Sequence, residues 1–378
     1  MNRYCGQDLG TSPHLIVLGS CKVGNFVVST PVLRGLKARF PSSTLGFVGS
    51  EVTRDFELAM DQIDWRESWD RNYSGAASTL FCSIEEHISS HGSVDLVINL
   101  DGFNPVTCVL AALLQPKYVL GGSLDSDLRR SLPWGELSAQ KFLADNDWDS
   151  SDFLARYHGF FSSNYIGELF VKLAFVQEYV DSSDIILPFV APNFTVPDVL
   201  IHCTTARSAK IWPFAYWKIV IEFLEGNDMT IGLVGSPPRL QTETYNSGDG
   251  EEFLLANSSL IDLRGKTSLI QLAGACRAAR AVISVDAGPL HIAAAVGTPT
   301  FAIVGNDSDA IGASPIRLWM PRCDNVSRSV SPYTCDRCAS NHFRNDECLV
   351  DGHPCMSMML PNQVINWLIN TFSLIQES

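Results

Sequence analysis

Four stretches of the sequence combine residue types and spacings that can do chemistry. In SVDAGPLHIAAAVGTPTFAIVG (284–305) an apolar run ends at Asp286, a Gly-Pro turn follows, and a small-residue helix is expected from about Leu290. Ala287 and Gly288 leave the backbone open to close approach, and the start of a helix presents unpaired N–H groups and a positive dipole end to phosphate oxygens. Asp286 can accept hydrogen bonds from sugar hydroxyls, and His291 sits one turn in, within reach of the same ligand. In TTARSAKIWPF (204–214), directly after another apolar run, the hydroxyls of Thr204 and Thr205 supply donors and Lys210 a point charge for a diphosphate. Both stretches also read as ordinary elements, the first as a strand–turn–helix with a capping aspartate, the second as a solvated loop. Trp212-Pro213 is expected to pack against the domain.

The third stretch, LGSCKVGNFVVSTP (18–31), is a strand-to-helix turn in which Gly19 and Gly24 free the backbone while Lys22 and Asn25 project from it. It lacks GxGxxG, so it carries no dinucleotide fingerprint. The fourth holds Cys335, Cys338, Cys348 and Cys355: a CxxC and two further cysteines separated by polar filler, a spacing that can wrap a tetrahedral Zn or Fe ion. Four thiolates close such a site, so its role is structural, with His353 near enough to replace a ligand or support one. The sequence has no Ser-His-Asp elbow, Walker A loop or HExxH helix, which leaves proton transfer to carboxylates. Asp101, just past the run VINL, is the candidate general base, a turn or cap residue being the plainer alternative.

These residues need scaffolding, and the surrounding pattern supplies it. Short apolar runs at HLIVLG (14–19), TLGFVG (44–49), VDLVINL (94–100) and KYVLGG (117–122) alternate with helical periods. Among these is a helix expected to start with Thr30 as its cap and Pro31 at its first position. The second half repeats the alternation at VLIHC (199–203), MTIGLVG (229–235), LIDLRG (260–265), AVISVD (281–286) and TPTFAIVG (298–305). Continuous apolar strands between helices indicate parallel sheets covered on both faces. The fold class is therefore α/β, with two doubly wound units facing across a cleft, and DSSDIILPFVAPNFTVPD (181–198), with three prolines, linking them. A chain of 378 residues fits two domains, at 1–182 and 183–378.

The bulk numbers narrow the partners. There are 41 acidic against 27 basic residues, a formal net charge of −14, and a field of that sign argues against nucleic acid while permitting one local anion pocket. The start, MNRYCGQDLGTSPH, has no apolar signal-peptide core, and no stretch is apolar enough to span a bilayer, so the chain is expected to be cytoplasmic and its eleven cysteines reduced.

The stretches VGNFVVSTPVLRGLKARFP (23–41), KIWP (210–213), GKTSLIQLAGACRAARAVISVDAGPLHIAAAVGTPTFAIVG (265–305) and ECLVDGHPCM (347–356) resemble, in this order, glycosyltransferase family 9, the ADP-heptose:lipopolysaccharide heptosyltransferases and their relatives. The cysteine cluster is similar to one in a subset that includes the iron-containing autotransporter heptosyltransferases. The resemblance implies a GT-B fold, an inverting transfer and no catalytic metal, with an acceptor-binding N-terminal domain and a C-terminal domain that binds a nucleotide diphosphate sugar, ADP-heptose first. Thr204, Thr205 and Lys210 would hold the phosphates, and Asp286, Ala287, Gly288 and His291 the sugar and adjoining phosphate. The sequence departs from the family where Asn25 stands in place of the presumed catalytic aspartate, which shifts the base to Asp101 or leaves a non-catalytic nucleotide-sugar-binding scaffold. It departs again at Arg239, where the family often has an acid that contacts the nucleoside. The acceptor, peripheral membrane contact and homo-oligomer formation stay open, and a sugar epimerase is the remaining alternative, without its acidic pattern.

Overall fold

The structure is a computed structural model that describes residues 1–70, 78–102, 104–147, 153–160, 162, 165–305 and 316–373. Two compact units divide between Pro188 and Phe189, inside the proline-bearing segment.

The first unit is built on six parallel strands: β1 (Asn2–Arg3), β2 (His14–Leu18), β3 (Thr44–Gly49), β4 (Trp65–Ser68), β5 (Leu96–Asn99) and β6 (Tyr118–Gly121), in the order β1-β6-β5-β2-β3-β4. β2 and β5 are buried along their whole length, because helices cover both faces and leave no polar side for alternation to mark. Packing is close enough that glycine is required at Gly46, where a Cβ would stand 2.2 Å from the Trp65 ring.

The second unit repeats the arrangement with β7 (Val199–His202), β8 (Ile231–Leu233), β9 (Ile261–Asp262), β10 (Ala281–Val285), β11 (Thr300–Ile303) and β12 (Val326–Ser329), in the order β12-β11-β10-β7-β8-β9. Its core includes the crossed indoles of Trp212 and Trp217, 5.2 Å apart at 85°. The Trp212 Nε1–H donates to the Met359 carbonyl at 2.8 Å, so this residue packs inward as the sequence suggests.

Both sheets reverse direction beside their first long strand. In the first unit the chain runs from β2 to β3 and β4, then crosses back to β5 on the other side of β2. The second does the same from β7 to β10. Ligands of such sheets bind beyond the carboxyl ends of the strands at this reversal. The turns after β5, β7 and β10 carry Asp101, Thr204 and Asp286, and the first turn of the helix after β2 carries Asn25.

One helix start differs from expectation. The helix after β2 runs from Val23 to Arg39 with Pro31 inside it, rather than beginning at Thr30. Pro31 has no N–H for the Val27 carbonyl four residues back. The Thr30 hydroxyl takes that carbonyl instead, at 2.8 Å, so the helix passes through the proline.

Candidate functional site

In the second unit the reversal brings Lys210 to Asp286. β7 ends at His202 and β10, paired with it in register from Ala281↔Val199 to Ser284↔His202, ends at Val285. A single helical turn, Ser208–Lys210, follows β7 and carries the lysine to the far side of the reversal. Lys210 Nζ donates to the Asp286 carbonyl at 2.9 Å and lies 3.1 Å from Oδ2 of its carboxylate. The next helix, Gly288–Ala295, starts directly behind: Ala287 is extended, no side chain caps it, and Pro289 has no N–H to lose. A cation, a carboxylate and uncapped helix amides thus converge on one point.

His291 completes this group. It is 5% exposed, and its Nδ1 is buried without a hydrogen-bond partner among the described residues. Burial pushes its pKa down to about 4; the Asp286 carboxylate opposes the shift and the Lys210 cation adds to it. The imidazole is therefore neutral at pH 7.

Thr204 behaves differently from the sequence expectation. Its hydroxyl is fully buried, accepts from Gln241 Nε2 at 2.8 Å and approaches Glu251 Oε1 at 3.3 Å. Glu251 in turn pairs with Arg264 at 3.0 Å, and Arg264 also meets Glu252 and Asp262, at 2.8 and 2.9 Å. This buried network anchors the backbone leaving β7 and engages the hydroxyl that the sequence offers to a phosphate. Thr205 is also buried, and its carbonyl accepts from Asn246 Nδ2 at 3.3 Å. The Arg239 side chain is 85% exposed and pairs with Glu243 at 2.9 Å.

In the first unit the same reversal brings Lys22 within electrostatic reach of Asp101. Leu18 of β2 pairs with Asn99 of β5, so the turns after them are neighbours. Asp101 accepts from Asn104 Nδ2 at 3.0 Å, and its own N–H donates to Asn99 Oδ1 at 3.1 Å. Burial raises the Asp101 pKa, while the Asn104 hydrogen bond and the Lys22 charge pull it partway back. A carboxylate raised in this way is better matched to taking a proton near neutral pH than an exposed one. Asn25 donates to the Ser20 hydroxyl at 3.4 Å. Asn104 caps the helix Pro105–Leu113, and an asparagine immediately before a proline is a local signal of such a helix start. Gln241, Glu251 and Arg264 had no local signal.

The four cysteines lie within electrostatic reach of one another. Cys335, Cys338 and Cys348 all act electrostatically on Cys355, whose pKa is pushed up to about 12 chiefly by burial. None of the four is in a disulfide. Asn345 Nδ2 donates to Cys338 Sγ at 3.2 Å, the kind of N–H···S bond that supports thiolate ligands. The donor set suits a four-thiolate ion, yet among the described residues no three metal-ligating side chains stand in coordinating geometry. His353 is not directed to the cluster by its Nε2, which bonds the Ala209 carbonyl at 2.7 Å.

Two all-parallel, doubly wound units in one chain define a GT-B fold, and solved structures agree. The glycosyl transferase family 9 structure from Veillonella parvula superposes with a TM-score of 0.73 at 16% identity, covering 97% of this chain and 99% of that one. The E. coli heptosyltransferase WaaC with ADP gives 0.59 at 15% identity, covering 95% and 99%. The iron-containing dodecameric glycosyltransferase TibC from enterotoxigenic E. coli gives 0.57 at 14% identity, covering 97% and 78%. Residues 154–340 match the sequence model of glycosyltransferase family 9 (heptosyltransferase). Lipopolysaccharide heptosyltransferase 1 of Salmonella typhimurium is 29% identical over 115 residues, 30% of this chain and 34% of that protein. The alignment therefore spans about a third of the length of this curated relative. Residues 154–340 thus carry the sequence pattern of glycosyltransferase family 9, and the whole chain shares the fold of its solved members.

Proposed function

We propose that this protein is an inverting glycosyltransferase that moves a sugar, a heptose in the first instance, from a nucleoside diphosphate donor to an acceptor hydroxyl of a glycan, protein or metabolite. The observation that carries the reading is Lys210 on Asp286 at the head of the uncapped helix Gly288–Ala295. A diphosphate arriving there meets a cation and aligned amides, which stabilise the charge that develops as the donor's anomeric C–O bond breaks. No catalytic metal is needed for that step. Asp286 and neutral His291 are placed to accept and donate hydrogen bonds to the sugar and adjoining phosphate, beside Ala287 and Gly288. In the first unit Asp101 takes the acceptor proton in place of the family's aspartate at Asn25.

ADP and ADP-heptose are the first nucleotide and donor to test, since WaaC, with the same fold, has been solved with ADP and TibC with ADP-D-beta-D-heptose. Incubation with ADP-heptose and candidate acceptors should release ADP. Binding without release under any acceptor would leave a nucleotide-sugar-binding scaffold. We also propose that Cys335, Cys338, Cys348 and Cys355 hold one structural Fe or Zn ion, supported by the CxxC spacing, their mutual electrostatic influence and the Asn345 bond to Cys338. Eleven unpaired cysteines fit a reducing, cytoplasmic setting, and among the described residues no helix is long and apolar enough to cross a membrane.

A further inference from the structure

The turn that carries Lys210 is held from a distant part of the chain. Arg207 Nε donates to the Asn345 carbonyl at 2.7 Å, and the Ser208 hydroxyl and Ala209 N–H both donate to the Asp346 carbonyl, at 3.0 and 2.8 Å. From the other side the His353 ring bonds the Ala209 carbonyl at 2.7 Å, across 144 positions of sequence. A turn of three residues has little internal hydrogen bonding to fix it, so these four bonds decide where Lys210 begins.

His353 is held in an unusual backbone state. Its φ of 50° and ψ of 53° are left-handed, a conformation that costs a non-glycine residue and persists only where the surroundings impose it. It precedes Pro354, at the start of the short helix Pro354–Ser357. Nothing about that helix start requires a histidine, since glycine would adopt the same angles without strain. What the imidazole adds is its reach to Ala209.

We infer that the segment from Asn345 to His353 is a positioning clamp for Lys210, with His353 its anchoring residue. The inference rests on the donor-site reading above and deepens it: affinity for the nucleotide's diphosphate depends on a residue that never touches it. His353 is a positioning residue, acting through Ala209 on the next residue in the chain. Reach and strain together give it a signature that a merely structural role lacks. Replacing it with glycine relieves the backbone while deleting the bond, so stability and affinity should part company.

The test compares wild type, His353→Gly and Lys210→Ala, reading the ADP dissociation constant by calorimetry and Tm by circular dichroism. His353→Gly is expected to weaken ADP binding about tenfold, some 1.4 kcal/mol, with Tm unchanged or raised. His353→Asn, which also tolerates left-handed angles but is too short to reach Ala209, gives the same readout should glycine loosen the fold. ADP affinity within twofold of wild type in both His353 variants, with Lys210→Ala clearly weakened, overturns the clamp and leaves the donor site standing. If Lys210→Ala binds ADP as wild type does, the donor-site reading fails and the clamp with it.

Discussion

Lys210 Nζ lies 2.9 Å from the carbonyl of Asp286 and 3.1 Å from its carboxylate, so the cation is already committed to the residue that follows β10. The pair is mostly buried, at 18% and 13% side-chain exposure, where charges interact more strongly than on the surface. The anion site is therefore a shared one, in which Lys210 and the helix amides act together beside a neutralising carboxylate.

Lys210→Ala should raise the ADP dissociation constant at least about tenfold, the loss of one charge-assisted contact. Calorimetry measures it, and far-ultraviolet circular dichroism should show the fold retained. An unchanged constant removes the lysine from the phosphate site.

Asp101→Asn should lower kcat about 10²- to 10⁴-fold while ADP affinity stays as in wild type, because an amide fills the space but takes no proton. Since burial raises the Asp101 pKa, the acidic limb of the wild-type pH–rate profile should lie above about 3.9, the ordinary aspartate value. Full turnover in the variant reassigns the base.

His291 makes stability depend on pH. Its pKa is about 4 in the fold and about 6.5 in an unfolded chain, so the unfolded state binds the proton first as pH falls. The contribution is fully present above about pH 6.5 and is lost by about pH 4, amounting to roughly 3 kcal/mol. Urea unfolding of wild type and His291→Gln at both pH values checks this; identical pH dependence in the two would refute it.

Thr204→Val separates two roles of one hydroxyl. A phosphate ligand would lose ADP affinity on this change. The hydrogen bonds to Gln241 and Glu251 instead imply a stability loss of about 1–2 kcal/mol with ADP affinity within about threefold of wild type. Thr204→Ser should behave as wild type.

Protein purified without added metal should contain about one Fe or Zn per chain by elemental analysis, and Cys355→Ser should contain less. A content near zero in wild type rejects the four-thiolate proposal.

What the sequence disclosed and what it withheld follow from range. Asp286, Gly288 and His291 lie within six positions, so a strand end, a glycine turn and a helix start announce themselves locally. Lys210 is legible as a lysine after a strand, but its meeting with Asp286, 76 positions on, comes from the pairing of β7 with β10. The partners of the Thr204 hydroxyl, Gln241 and Glu251, lie 37 and 47 positions away and leave no mark on its own neighbourhood. β4 and β12 went unread because edge strands such as WRES and VSRS are not buried on both faces and carry the polar residues that central strands exclude. Pro31 suggests a helix start because that is where proline is commonest; the Thr30 hydroxyl on the Val27 carbonyl is what lets it sit inside one.

The residue that opens the helix Gly288–Ala295 is Ala287, whose own side chain cannot cap the amides that follow. An anion bound at that helix start would link occupancy to melting point. A ligand at a hundred times its dissociation constant would add about 2.7 kcal/mol to the native state. A thermal-shift panel of nucleoside diphosphates could therefore rank candidate donors before any acceptor is in hand.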